Sequence, residues 1–419
     1  MVDVPHAWYN IAADLPEPLP PLIDPPGLDS RIRLLTRILP SRLIEEENTL
    51  ARYIPIPSEV REAYKGIGRP TSLSRARGLE KRLGLDGVKI LYKMEASLPG
   101  GSHKINTALA QAFYARMDGA REVVTETGAG QWGLAVSMAA ARLGLKTTVF
   151  MTRSSYESKR QRRSLMEFLG ATVYPSPSTV TQAGRSVGDR EAHPGSLGLA
   201  IAEAVEYTLE SGDRRYLPGS ALEAVLTHQT VIGLELLDQL EEEPDYMIAC
   251  VGGGSNLAGF MYPAIGSMLR GEGFEKTRFI AAESTAAPKL TRGEYRYDGF
   301  EPTLTLPLAK MYTLGRDYTP PPLHAAGLRY HAAAASLSLL RRKGIIEAVA
   351  IPPSEVMEAA RLFASSEGVI PAPESAHAIA AAVRIARKAS RGTVIVFNLS
   401  GHGLLDTDAY SRLGVHGES

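Results

Sequence analysis

From Val88 onward the sequence repeats one alternation, a short run rich in β-branched and apolar residues followed by a longer amphipathic run. Strand-forming runs lie at 88–95, 122–126, 147–152, 172–175, 246–251, 278–283 and 393–399. Helix-forming runs lie at 104–117, 131–143, 158–169, 197–211, 222–240, 354–366 and 374–389. Few folds accept this order. Strands separated by helices run parallel with right-handed crossovers, so helices cover both faces of the sheet. At 419 residues the chain exceeds one compact core, which predicts two α/β domains or one large α/β unit.

Ahead of this region, residues 1–30 carry seven prolines, which disfavour helix and predict an extended arm. Trp8, Tyr9, Leu15, Leu19, Leu22 and Ile23 predict that the arm packs on the body or on a neighbouring subunit. Two helical stretches follow, Arg31 to Leu39 and Arg42 to Tyr53. Gly66 to Ser72 reads as a loop into a helix with Thr71 or Ser72 as N-cap. Long loops are expected at Gly188–Gly198 and Tyr318–His324, and a domain boundary near Pro218-Gly219. The units expected are therefore an arm with helices (1–65), a first α/β domain (66–220, with part of 66–104 packing on the other) and a second (221–419).

The charges narrow the partners. Lys and Arg number 46, as do Asp and Glu, so nothing favours a nucleic acid or an anionic membrane. No run resembles a signal peptide or a membrane span, and the compartment expected is the cytoplasm. The one cysteine, Cys250, rules out an internal disulfide and a multi-cysteine metal site. The nine histidines show no metal-ligand spacing, so no metal is expected.

Four segments between strands and helices carry the chemistry. Leu98-Pro-Gly-Gly-Ser-His-Lys-Ile-Asn106 puts Lys104 on a Gly-rich loop, where desolvation would free its amine for a Schiff base; a solvated surface lysine is the alternative. Glu126-Thr-Gly-Ala-Gly-Gln-Trp-Gly133 offers backbone N–H groups at a helix start, suited to a carboxylate or phosphate. Glu126, at a strand end, is placed for proton exchange if partly buried. Val251-Gly-Gly-Gly-Ser-Asn-Leu-Ala-Gly259 reads as a phosphate cradle with Ser255 and Asn256 as added donors. It lacks the P-loop's Gly-Lys-Ser/Thr and only approximates Gly-x-Gly-x-x-Gly. Val394-Ile-Val-Phe-Asn-Leu-Ser-Gly-His-Gly403 ends a buried strand in Ser400, whose hydroxyl could meet a ring nitrogen. Gly315-Arg-Asp-Tyr318 and Gly368-Val-Ile-Pro-Ala-Pro-Glu-Ser375 add Asp317 and Glu374, the latter at a helix start.

Together, Gly101-Ser-His-Lys-Ile-Asn106, Glu126-Thr-Gly-Ala-Gly-Gln131, Gly252-Gly-Gly-Ser-Asn256, Pro371-Ala-Pro-Glu-Ser375 and Asn398-Leu-Ser-Gly401 resemble the tryptophan synthase β-subunit family, in its divergent second branch. The likeness spans about residues 65 to 405. It implies a pyridoxal-phosphate enzyme of fold type II, two doubly wound parallel-sheet domains with the cofactor in the cleft between them. It implies that Lys104 binds the cofactor covalently, with His103, Gln131, Gly252, Gly253, Gly254, Ser255, Asn256, Glu374 and Ser400 around it. Ser196 would replace a threonine near the cofactor. Glu126, Thr127, Gly128, Ala129, Gly130, Gln131 and Trp132 would bind the amino acid, with Glu126 moving protons and Asp317 orienting the serine side chain.

What the resemblance implies is a lyase-type β-replacement that joins L-serine, or an activated serine, to indole and yields L-tryptophan. A homodimer is expected. The loop ends Gln131-Trp132-Gly133 where the family commonly has Gln-His-Gly, and the arm is longer. These departures put docking of an α subunit in doubt and favour free indole. Serine or threonine dehydration, or sulfhydrylation, is the alternative on the same scaffold. A nicotinamide-dependent oxidoreductase would need an acidic residue about 20 positions past the glycines; Glu272 stands there, but in a Gly-rich turn.

Overall fold

The computed structural model describes residues 2–28, 30–321, 325–407 and 409–410. Two sheets organise them. The smaller has four parallel strands in the order Ala171–Ser176, Lys146–Thr152, Glu122–Thr127 and Arg214–Tyr216. The larger has six, in the order Ile346–Ile351, Arg278–Ser284, Tyr246–Cys250, Val394–Asn398, Lys89–Lys93 and Leu73–Arg75. It is parallel except at its last pair. All seven strands expected from the sequence are present to within two residues. Val394–Asn398 is buried along its whole length, as a strand covered by helices on both faces must be.

Local chemistry moves several boundaries. Gly66–Ser72 leads into the strand Leu73–Arg75 and not into a helix. The Thr71 hydroxyl donates to Glu95 (2.7 Å) and the Ser72 carbonyl accepts the Met94 N–H (2.9 Å), so neither residue caps a helix. The helix expected to reach Tyr53 stops at Glu47, and Tyr53–Pro55 pairs antiparallel with Ala7–Tyr9 of the arm. Trp8 and Tyr9 are fully buried, so the proline-rich arm packs on its own body. The run 222–240 is two helices, Glu223–Gln229 and Val231–Gln239. Between them the Thr230 hydroxyl donates to the Thr227 carbonyl (2.7 Å) and accepts the Tyr9 N–H (2.8 Å), a side-chain competition that breaks helices. The run 158–169 is the helix Arg160–Phe168, preceded by a separate short helix, Arg153–Ser158. Residues 188–196 and 318–321 are irregular as expected, Leu197 and Gly198 already belong to the helix Leu197–Leu209, and 322–324 lie outside the described residues. An antiparallel pair, Glu294–Gly299 with Leu308–Thr313, was not legible in the sequence.

The chain does not finish one sheet before starting the other. Residues 73–93 lie in the larger sheet, 122–216 build the smaller, and 246–398 complete the larger. Where it first leaves the larger sheet, a buried ion network fixes it. The Arg69 guanidinium donates to both Glu95 oxygens (2.9 and 3.1 Å) and both Glu235 oxygens (2.9 Å each). Lys93 donates to Glu235 (2.9 Å), and Asn106, two residues past Lys104, donates to Glu95 (3.1 Å) and accepts from Arg69 (2.9 Å). Two cations face two anions here and every charged group is hydrogen-bonded, the condition under which buried ions are tolerated.

Candidate active site

In a parallel sheet every strand ends on the same edge, so the loops that follow the strands gather there. The loops after Lys89–Lys93, Glu122–Thr127, Tyr246–Cys250 and Val394–Asn398 enclose a cavity of about 280 Å³. Lys104 lies on the first. Pro99-Gly100-Gly101 makes a tight turn with both glycines at positive φ (75° and 70°), a conformation side chains resist. The turn is clasped by the loop after Val394–Asn398: the His402 N–H donates to the Gly101 carbonyl (2.7 Å) and Ser102 bridges to Gly401. Lys104 then opens the helix Ile105–Met117. Burial pushes its amine below the usual lysine range, against the pull of Glu374, and so frees the lone pair a nucleophilic amine needs.

Beside it, burial drives His103 down to about 3, helped by the neighbouring Lys104 charge, so the imidazole is neutral. Its Nδ1 lies 3.2 Å from the Ser400 carbonyl and must carry the proton. Nε2, buried and without a partner among the described residues, is therefore an acceptor. It becomes a donor to an oxyanion only by taking up a proton, which a dianion alongside favours.

Glu126 ends its strand against the cavity. Burial raises its carboxyl to about 7, although the Tyr216 hydroxyl donates to it (2.6 Å) and favours the anion. Not every residue of the turn after it faces the cavity. Thr127, Gly128, Ala129, Gln131 and Trp132 line the cavity, while Gly130 does not. The Gly130 N–H is taken by the Thr127 hydroxyl (3.1 Å), and a Cβ there would stand 3.1 Å from Arg162 and Met151, at a φ of 91°. Gly130 thus shapes the turn without offering a donor. The first-turn N–H groups of helix Gln131–Leu143 lack intrahelical partners and can meet an anion. The Trp132 indole N–H is committed to Thr125 (2.7 Å), and its ring packs on Gly219, where a Cβ would come within 2.9 Å.

The glycine run has no room for side chains. A Cβ on Gly252 would lie 2.6 Å from the Gly327 carbonyl, one on Gly253 would lie 2.5 Å from the Ser220 hydroxyl, and Gly254 has φ 125°. Its N–H groups lead into the 15-residue helix Ser255–Leu269, an arrangement suited to a phosphate. One expectation is corrected. The Asn256 side chain is not a donor to the cavity, because its Nδ2 bonds the Cys250 carbonyl (2.8 Å) and its Oδ1 accepts from Asn398 (2.7 Å). Those inward bonds lock the cradle to the sheet and leave Asn256 only its backbone. Ser196 lines the cavity, yet its hydroxyl caps the helix Leu197–Leu209 by accepting the Leu199 N–H (3.1 Å).

Ser400 lies on the cavity wall with its hydroxyl 2.8 Å from that of Ser375 and 3.5 Å from the Cys250 sulfur. Burial pushes the Cys250 thiol up to about 11, so this corner is neutral. Glu374 accepts the Gly327 N–H (2.8 Å) with one oxygen and leaves the other buried and unpartnered. Burial, reinforced by Asp406, raises its pKa. Asp317 lies apart from the rest. It is on the rim, 80% exposed, with Arg316 as its ion-pair partner at 4.0 Å.

Sequence reading missed three contributors. Tyr216 ends a three-residue strand, Arg214–Tyr216, too short for periodicity. Ser220 lines the cavity with a buried, unpartnered hydroxyl, one residue past a Pro-Gly turn. Buried Arg162 donates to the Ala129 carbonyl (2.9 Å) and to Asp406 (2.6 Å), tying the anion-binding turn to the loop beyond Ser400. A basic run, Lys159-Arg-Gln-Arg-Arg163, hides it as a solvated face. Among the described residues no group of three or more His, Cys, Asp or Glu could hold a metal, and no helix is long and apolar enough to cross a membrane.

The orphaned polar atoms of His103, Glu374 and Ser220, a glycine cradle at a helix start and a desolvated lysine fit a phosphorylated aldehyde cofactor. Comparison with known proteins agrees. The family model for pyridoxal-phosphate dependent enzymes matches residues 64–401. The chain is 70% identical to tryptophan synthase beta chain 1 of Aeropyrum pernix over the full length of both. It is 67% identical to the tryptophan synthase beta chain of Pyrobaculum aerophilum (97% of this chain, 98% of the relative). With that of Pyrococcus horikoshii the identity is 52% (97% and 90%).

Proposed function

The chain belongs to the tryptophan synthase β-chain family of pyridoxal-phosphate-dependent enzymes, and from that premise we propose that it joins the β-carbon of serine, or of an activated serine, to indole. The observation that carries this is the pairing, across one cavity, of an amine held below its usual range (Lys104) with a carboxyl held near 7 (Glu126). Bound pyridoxal phosphate supplies the electron sink for loss of the substrate's α-proton and β-substituent. Lys104, a neutral amine when released, takes the α-proton. Backbone N–H groups of the Thr127–Trp132 turn hold the substrate carboxylate. Glu126, with its carboxyl raised to about 7, is available in both forms near neutral pH: protonated, it gives its proton to the departing hydroxyl, and as a carboxylate hydrogen-bonded to Tyr216 it then accepts the proton that indole loses. Ser400 and Cys250 offer the pyridine nitrogen no negative charge, which favours elimination and replacement over transamination. Asp317 reaches the serine side chain when the rim closes and water is excluded.

We hold the chain to be a cytoplasmic homodimer that uses free indole without an obligatory α subunit, and to pass from its first α/β domain to its second near Pro218-Gly219, with part of 66–104 packing on the second. Absorbance of the purified protein with serine, then with indole, sulfide or no acceptor, tests the activity. Tryptophan with indole supports the proposal. Pyruvate in every arm would make the chain a dehydratase, and a sulfide-dependent product alone a sulfhydrylase. Sedimentation with and without an α subunit tests the assembly.

A further inference from the structure

A turn that binds an anion through its backbone N–H groups works only if its carbonyl oxygens point elsewhere. In the turn after Glu126 one peptide is fixed at both ends. The Gly130 N–H is taken by the Thr127 hydroxyl (3.1 Å), and the carbonyl of the same peptide, that of Ala129, accepts from the Arg162 guanidinium (2.9 Å). Thr127 and Ala129 line the cavity and Arg162 does not, so this bond turns the Ala129 oxygen away from a bound anion. The arginine stem runs under Gly130, where a Cβ would stand 3.1 and 3.2 Å from the Arg162 Cβ and Cδ. Charge is out of balance at the same point. Arg162 (2.6 Å) and Lys159 (3.0 Å) both donate to Asp406, while burial and Asp406 push the neighbouring Glu374 toward its neutral form. Two cations thus meet one anion, whereas around Arg69 two meet two. The Arg162 Nε is buried and has no partner among the described residues. An excess of buried positive charge is unfavourable until an anion arrives to balance it.

We propose that Arg162 is a positioning residue for the amino-acid substrate. It holds the Ala129–Gly130 peptide with its carbonyl turned out of the cavity, and it places net positive charge behind the turn that receives the substrate carboxylate. This rests on the function proposed above and deepens it. Arg162 lies on the helix Arg160–Phe168, between two strands of the smaller sheet, and Asp406 lies beyond Val394–Asn398 of the larger. Their ion pair therefore crosses from one sheet to the other and sets the carboxylate turn against the loop that carries Ser400.

The test compares three holoenzymes: wild type, Arg162→Met, which keeps a stem under Gly130, and the double variant Arg162→Met/Asp406→Asn. The double variant leaves no carboxylate buried without its guanidinium, so it folds even where the single one does not. Loss of a hydrogen bond from a charged donor predicts that the Kd for serine, read by absorbance, and the KM for serine rise roughly 10–100-fold in both variants. The KM for indole, which has no carboxylate, and the Kd for pyridoxal phosphate should keep their wild-type values. A merely structural arginine would instead weaken serine, indole and cofactor together. Unchanged serine affinity, an equal loss across all three, or failure of the double variant to fold overturns the proposal and leaves the function standing. Wild type that binds the cofactor but neither responds to serine or an activated serine nor makes tryptophan overturns the function, and Arg162's role with it.

Discussion

Two clusters of buried polar residues lie a few residues apart along the chain and are built on opposite principles. Around Arg69, Glu95, Glu235 and Lys93, charges balance and the side chains are fully hydrogen-bonded. Around Lys104, the amine is desolvated, Glu126 holds its proton to about 7, and His103, Glu374 and Ser220 each keep an atom without a partner. The first cluster gains stability from being complete. The second is incomplete by itself, and under the function proposed above its missing partners are the cofactor and the substrate. Buried polarity is thus structural where it is satisfied and functional where it is not.

Substitutions in the two clusters should fail in different ways, and the largest difference concerns Lys104. Lys104→Ala should abolish turnover and covalent capture of the cofactor by borohydride, yet leave the unfolding midpoint of the apo protein unchanged or higher, since a desolvated amine is gone. Capture on another lysine would reassign the site. Glu126→Gln should keep cofactor binding and lose ~10²–10⁴-fold in serine-plus-indole turnover. Near-normal turnover at matched cofactor occupancy would reduce Glu126 to a structural carboxyl.

Arg69→Ala should do the reverse, costing about 3–5 kcal/mol of stability because buried Glu95 loses its ion pair and Glu235 keeps only Lys93. Urea unfolding measures it; a loss under about 1 kcal/mol would mean that water or Lys93 replaces the guanidinium. The smallest effect is also the sharpest contrast, because the two acids carry opposite pH slopes. Burial alone would raise Glu95, but Arg69 and Lys93 outweigh it and hold the carboxyl at about 2. Its contribution is therefore present above about 4.5 and lost as pH falls toward 2. Glu126 is raised from 4.5 to about 7, so its contribution is present below about 4.5 and lost as pH rises to 7. Stability-versus-pH curves for Glu95→Gln and Glu126→Gln, each minus wild type, should slope in opposite directions; parallel curves would dissolve the distinction.

The same contrast explains what was legible in the sequence. Lys104, Glu126, Gly252 to Gly254 and Ser400 stand at strand ends beside glycines, and glycines where a chain must turn or approach closely leave a mark on the sequence. Arg69 and Tyr216 leave none, since their roles arise from partners 26 to 166 residues away. The helix Ser255–Leu269 shows only its start, because Pro263 lies inside it and reads as a break. Asn256 shows the limit from the other side: its place beside the cradle was readable, but not the inward hydrogen bonds that engage its amide.

The interleaved path between the sheets also bears on modularity. No single cut in the chain separates the two: a fragment ending at 220 carries Leu73–Arg75 and Lys89–Lys93 without the strand Val394–Asn398 that borders them, and the remainder lacks its edge. Gene fission at the Pro218-Gly219 turn should yield two insoluble halves that recover only when produced together. Recombination between relatives would have to exchange residues 73–93 along with the distant 246–398 block to keep the larger sheet whole.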